Sequence, residues 1–139
     1  MKIVGLLFLL IAIPAFARSE ISGTCLAIDG DTIHVINGSR TIKVRLQGIA
    51  APETNQQGGK EATAFLERLA EGKQVRCQLD ETQTRKFEIG TCYVNGRDIA
   101  AAVVEAGLAR DCPRLSGGRY QAIERPEAKK LFFPDYCSR

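Results

Sequence analysis

Histidine and tryptophan are nearly missing from this chain: it has one histidine, His34, and no tryptophan. A lone histidine cannot build a histidine-rich metal centre. The five cysteines include no Cys-x-x-Cys pair, so they do not carry a metal-ligand spacing either. Strong charge is absent as well. The formal net charge is +3, which suits a phosphate-bearing partner but falls far below the footprint of a dedicated DNA binder. There is one long hydrophobic run, residues 3–13; its about 11 residues are too few for a membrane span, which needs roughly 20. Internal repeats and low-complexity segments are also lacking.

The apolar run has the surroundings of an export signal. Lys2 supplies the positive start, and Ala15-Phe16-Ala17 ends in a small-x-small pattern, so cleavage after Ala17 is expected. No cysteine stands beside that site to carry a lipid. Residues 18–139 then form one domain, one unit of charge less positive after loss of Lys2, in the periplasm or secreted, with no transmembrane anchor. Cysteines in an exported chain point to disulfides. Cys77 and Cys92 fall in two predicted strands joined by a short connection, and Cys112 and Cys137 bracket the C-terminal segment. Those are the favoured pairs, with Cys25 left as a buried free thiol. His34 alternates with Ile33 and Val35 on a strand, the pattern of a solvent-side structural histidine.

Residues 21–28, 32–36 and 41–49 read as a β-meander, with Asn37-Gly38 as a tight turn whose two central positions take positive φ. In the third strand Ile42, Val44 and Leu46 face one way and Lys43, Arg45 and Gln47 the other. Residues 59–71 read as a helix, with Ala62, Phe65, Leu66 and Leu69 on one face and Gly72 as its stop. Strands 74–79 and 88–94 follow, then Asp98 caps a helix over 99–106 that ends at Gly107. This order predicts a mainly β fold with α: a five-stranded, OB-like Greek-key barrel with two or three helices. Its core covers residues 21–109. A disulfide-anchored tail, 110–139, carries a short helix near 120–124 and a break at Pro126.

Two stretches carry chemistry: Ile28-Asp29-Gly30-Asp31-Thr32, and Val44-Arg45-Leu46-Gln47-Gly48-Ile49-Ala50-Ala51-Pro52-Glu53. Hydrolysis of a phosphodiester needs cations on the phosphate oxygens, a base for water, and usually a hard cation held by carboxylates. Arg45 on a polar strand face, Glu53 after a stiffening proline, and Asp29 and Asp31 around a glycine turn supply part of that set. Singly, each has an ordinary reading as a common turn or a solvated side chain. In this order, followed by a helix and by Asn95-Gly96-Arg97-Asp98-Ile99 before Gly107-Leu108-Ala109, they resemble the staphylococcal-nuclease (thermonuclease) family. The stretch Arg110-Asp111-Cys112-Pro113-Arg114 and the Ser116-Gly117-Gly118-Arg119-Tyr120 run look like its small exported bacterial members.

The resemblance implies that Asp31 is a calcium ligand with Asp29 beside it, Arg45 a phosphate-binding arginine, and Glu53 the general base. It also marks departures. Ala50 stands where the family has its second calcium-binding carboxylate, so calcium is expected to bind weakly or not at all. Ala51 matters less, since the family uses a main-chain carbonyl there. Phe87 stands where a second phosphate-binding arginine belongs. Arg85, two residues earlier on the same strand face, is the candidate substitute, displaced by about 6.6 Å. Phe87, Tyr93, Tyr120 and Tyr136 are the aromatics available to stack on bases. The function read from this pattern is an exported, monomeric domain descended from a calcium-dependent phosphodiesterase acting on DNA and RNA, and now catalytically impaired or inactive. Two alternatives stand beside it. One is an active nuclease whose altered metal site uses Asp29, Asp31 and Glu53; the other is a non-catalytic binder of nucleic acid, nucleotide or another polyanion, with an envelope or exopolysaccharide role.

Overall fold

A computed structural model of the chain describes residues 19–80 and 86–138. The expected export signal and Arg85 both lie outside the described residues. Alternation of apolar and polar side chains builds five long strands: β1 (Glu20–Asp29), β2 (Thr32–Asn37), β3 (Arg40–Leu46), β5 (Gln74–Leu79) and β6 (Glu88–Val94). They pair in the order β3-β2-β1-β5-β6, and β3 then pairs in parallel with β6 through Arg45 opposite Ile89. That last pairing closes the sheet into the expected barrel. Ile33, Val35, Val44, Leu46, Val75 and Val94 fill its interior.

Helix α1 (Gly59–Ala70) precedes β5 and buries Ala62, Leu66 and Ala70, one face at a spacing of four, against β1. Phe65 and Leu69 pack at the margin of that face. Helix α2 (Ile99–Glu105) starts at Asp98, whose Oδ1 accepts from the Ala101 amide at 3.2 Å. At Gly30 an added Cβ would come within 2.6 Å of the Ala62 Cβ and 2.8 Å of the Ala51 Cβ. Absence of a side chain there lets α1 approach the β1–β2 turn.

Two expectations change. Strand β3 ends at Leu46 rather than running to residue 49, because Gly48 turns the chain with φ 85. Ile49–Ala50 then forms a separate strand, β4, which pairs outside the barrel with β8 (Arg110–Asp111). Asn37-Gly38 is not a turn with positive φ at both positions. Asn37 pairs with Arg40, leaving Gly38 and Ser39 as the loop, and its side chain donates to the Ser22 carbonyl at 2.9 Å. The two-positive-φ turn belongs instead to Asn95 (φ 49) and Gly96 (φ 76), between β6 and the short β7 (Arg97–Asp98).

Cys77 is bonded to Cys92, directly opposite it on β5 and β6, and Cys112 is bonded to Cys137; Cys25 is a buried free thiol. Two bridges are the chemistry of an oxidising compartment. Beyond β8 the tail forms helix α3 (Pro113–Ser116) and three short 3-10 turns, of which Gln121–Ile123 lies where one short helix was expected. Asp111 fixes this tail from inside: its carboxylate accepts from Ser116 Oγ at 2.6 Å and from the Tyr120 amide at 3.3 Å. No helix among the described residues is long and apolar enough to cross a membrane.

Candidate active site

The site grows from the turn between β1 and β2. Pairing slips by one residue at Ile28, so Asp29 faces Thr32 across a two-residue turn of Gly30 and Asp31. Asp29 Oδ1 accepts from the Asp31 amide at 3.1 Å and holds the turn closed. Asp31 points inward and is 5% exposed. Its Oδ1 accepts from Thr32 Oγ1 at 3.0 Å and its Oδ2 from the Ala51 amide at 2.9 Å. Arg45 reaches the same Oδ2 at 3.5 Å from the neighbouring strand. Burial pushes the Asp31 carboxyl up to about 6, against the pull of Arg45 and the Ala51 amide.

Asp29, Asp31, Arg45 and Glu53 all line one cleft of about 720 Å³. Glu53 sits there because its backbone is pinned: its amide donates to Gln56 Oε1 at 2.8 Å and its carbonyl accepts from the Gln56 amide at 2.8 Å. Phe87 also lines the cleft, with the Lys43 ammonium 5.9 Å from its ring centre. The opposite wall comes from the tail, through Phe132, Pro134, Asp135 and Tyr136. Arg45 Nη2 donates to Tyr136 Oη at 2.7 Å, and the guanidinium carbon lies 5.8 Å from that ring centre.

Of the four aromatics singled out in the sequence, two reach the cleft. Tyr136 and Phe87 do. Tyr120 is buried, and its hydroxyl donates to Asp98 Oδ2 at 2.9 Å, while Tyr93 lies in a separate groove with Arg76 4.9 Å from its ring centre. Phe132, 57% exposed, and Asp135 were not singled out. The signal that could have found them is their position just before Cys137, whose bridge fixes where this segment lies.

Ala50 is buried in a small cluster with Cys112 and Cys137, against which Phe133 packs, and it does not line the cleft. Calcium takes six to eight oxygens. Among the described residues no three His, Cys, Asp or Glu side chains are grouped to hold an ion. Both Asp31 oxygens already accept protein hydrogen bonds, and an alanine stands at position 50 beneath a disulfide. The donor set offers calcium at most a weak site.

A barrel of five strands, closed by the parallel pairing of β3 with β6, defines a small OB-like class of domain. The staphylococcal nuclease homologue family model matches residues 43–130, more than half of the chain. The chain belongs to the staphylococcal nuclease family. It is 31% identical over 136 residues to an uncharacterized endonuclease of Haemophilus influenzae, covering 94% of this chain and 76% of that one. It is 33% identical over 112 residues to the micrococcal nuclease of Shigella flexneri, covering 73% and 63%. A similar match to Protein ParB of Escherichia coli, 33% over 115 residues, covers 76% of this chain and 64% of that protein. Against an uncharacterized endonuclease of the same species the match spans about half of the relative's length, 54%.

Proposed function

We propose that this protein is a nuclease-derived phosphate binder: its cleft holds a phosphodiester backbone, of nucleic acid or another polyanion, and cuts it poorly or not at all. The supporting observation is the split between positions 45 and 50. Arg45 keeps its place in the cleft, buttressed by Asp31 at 3.5 Å, whereas Ala50 supplies no carboxylate and lies under the Cys112–Cys137 bridge. Arg45 neutralises a phosphate oxygen, and Asp31 aims the guanidinium. Glu53, on a pinned loop with its side chain in water, is available to take a proton from an attacking water. Phe87 occupies the place of a second cation. Loss of a transition-state arginine costs on the order of 10³ to 10⁵ in rate, so an intact base is not enough. Lys43 beside Phe87, and Arg45 beside Tyr136, pair cation with aromatic on both walls, the combination that holds single strands without cutting them.

The test uses the oxidised protein with single-stranded DNA and with RNA, in calcium and then in chelator. Retention without cutting is expected, weakened about tenfold or more by Arg45→Ala. Chelator-sensitive cutting that disappears in Glu53→Gln would show instead that hydrolysis persists.

A further inference from the structure

Arginine grips a phosphate in two-pronged fashion along one of two edges of its guanidinium, Nε–H with Nη2–H or Nη1–H with Nη2–H. Nη2 belongs to both edges. In Arg45 this nitrogen donates to Tyr136 Oη at 2.7 Å and lies 3.5 Å from Asp31 Oδ2, so both its hydrogens are engaged. Among the described residues Nε and Nη1 have no such partner, and they share no edge. The two Nη2 partners differ in kind. Asp31 is buried in the cleft floor, but Tyr136 is 45% exposed and belongs to the cleft wall.

The phenol is held there from behind. Cys137 follows it in the chain, closes the last 3-10 turn (Asp135–Cys137) and is bonded to the buried Cys112. Cys112 is in turn tied to the strand exit, its amide donating to the Gly48 carbonyl at 2.9 Å. The ring of Tyr136, 5.8 Å from the guanidinium carbon, adds a second contact to the same arginine.

We propose that Tyr136 is the residue that determines which ligands Arg45 accepts: its hydroxyl withholds Nη2, and a ligand gains the two-pronged phosphate contact only by displacing it. This rests on the reading of Arg45 as a phosphate-binding residue. Singly held phosphates therefore bind weakly in the oxidised protein. A strand that can push the phenol aside, or stack on its ring once moved, binds better.

The experiment is an anisotropy titration of a labelled single-stranded DNA 12-mer, without divalent ions, into the oxidised full chain. Wild type, Tyr136→Phe, Arg45→Ala and the double variant are compared. Tyr136→Phe keeps the ring and removes only the hydroxyl at a partly exposed position. It is expected to tighten binding about fivefold to tenfold, the worth of freeing one charge-assisted donor. Arg45→Ala in that background is expected to erase the gain. Binding that depends on Arg45 but does not tighten in Tyr136→Phe would overturn the role of Tyr136 and leave the phosphate reading standing. Binding indifferent to Arg45 in both backgrounds would overturn both.

Discussion

The bridge Cys77–Cys92 joins residues that the ladder between β5 and β6 already sets opposite each other, whereas Cys112–Cys137 joins the residue after β8 to the last 3-10 turn, with which β8 shares no strand pairing. Loop-closure entropy treats them nearly alike. Separations of 15 and 25 residues correspond to about 3 and about 3.5 kcal/mol. The structure treats them differently. The first staples a barrel that also has its hydrogen-bond ladder and core, and nothing at the cleft hangs on it. The second covers Ala50 on one side and, through the residue next to Cys137, meets Arg45 on the other. Two crosslinks of similar thermodynamic weight thus divide into one for the fold and one for the site.

The largest expected effect comes from placing a charge under the second bridge. Ala50→Asp, which by family resemblance alone would restore a calcium carboxylate, instead buries an unpaired charge against Cys112, Cys137 and Phe133. We expect a loss of about 3–5 kcal/mol at pH 7 in urea unfolding. The introduced carboxyl has its folded pKa raised, so the loss shrinks as pH falls towards 4. An unchanged urea midpoint at pH 7 would mean that the tail yields easily and that the bridge does not seal position 50.

Next come the bridges themselves. Replacing Cys77 and Cys92 together by alanine is expected to cost about 3 kcal/mol in global unfolding and to leave oligonucleotide affinity unchanged. Replacing Cys112 and Cys137 together by serine is expected to release residues 132–136 from the cleft. Amide exchange should rise there, with the barrel protected, and Arg45-dependent oligonucleotide binding should tighten as in Tyr136→Phe. If both pairs changed affinity equally, the division between fold and site would not hold.

The smallest effect concerns the unpaired Cys25. Burial, with Glu71 adding to it, pushes this thiol up to about 11. Little thiolate forms at pH 8, so Cys25 in the native protein should resist iodoacetamide and should not exchange with either bridge. The folded pKa lies above the unfolded value, so the neutral thiol's contribution is full below about pH 8.5 and is lost as pH rises through 11. The stability difference between wild type and Cys25→Ala should stay flat up to pH 8 and fall beyond pH 9.

Periodicity made the barrel legible, because half-buried strands and a one-faced helix leave spacings that survive in sequence. Turn chemistry was legible as a type but not as a place. Asn37-Gly38 and Asn95-Gly96 carry the same dipeptide, yet only the second takes two positive φ values, since pairing of Asn37 with Arg40 shifts the first loop by one residue. Arg45, Asp31 and Glu53 were readable because strand parity and a short turn carry them to one end of the barrel. Tyr136 was nameable only as one aromatic among four, because its contact with Arg45 spans 91 residues and depends on a bridge. The burial of Ala50 was hidden for a related reason: β4 leaves the barrel to pair with β8, a partner about 60 residues away that no local pattern announces.

The crowding at Gly30 has a mechanical meaning. The turn that holds Asp31, the stretch through Ala51 and the first turns of α1 meet at a joint with no clearance, where even a methyl group would stand 2.6 Å from Ala62 and 2.8 Å from Ala51. A shift of α1 along its axis therefore drives the turn, and with it the carboxylate that aims Arg45. The cleft floor and the helix are thus packed against each other without a gap, while the tail wall is set in place from a different direction, through the Cys112–Cys137 cluster around Ala50.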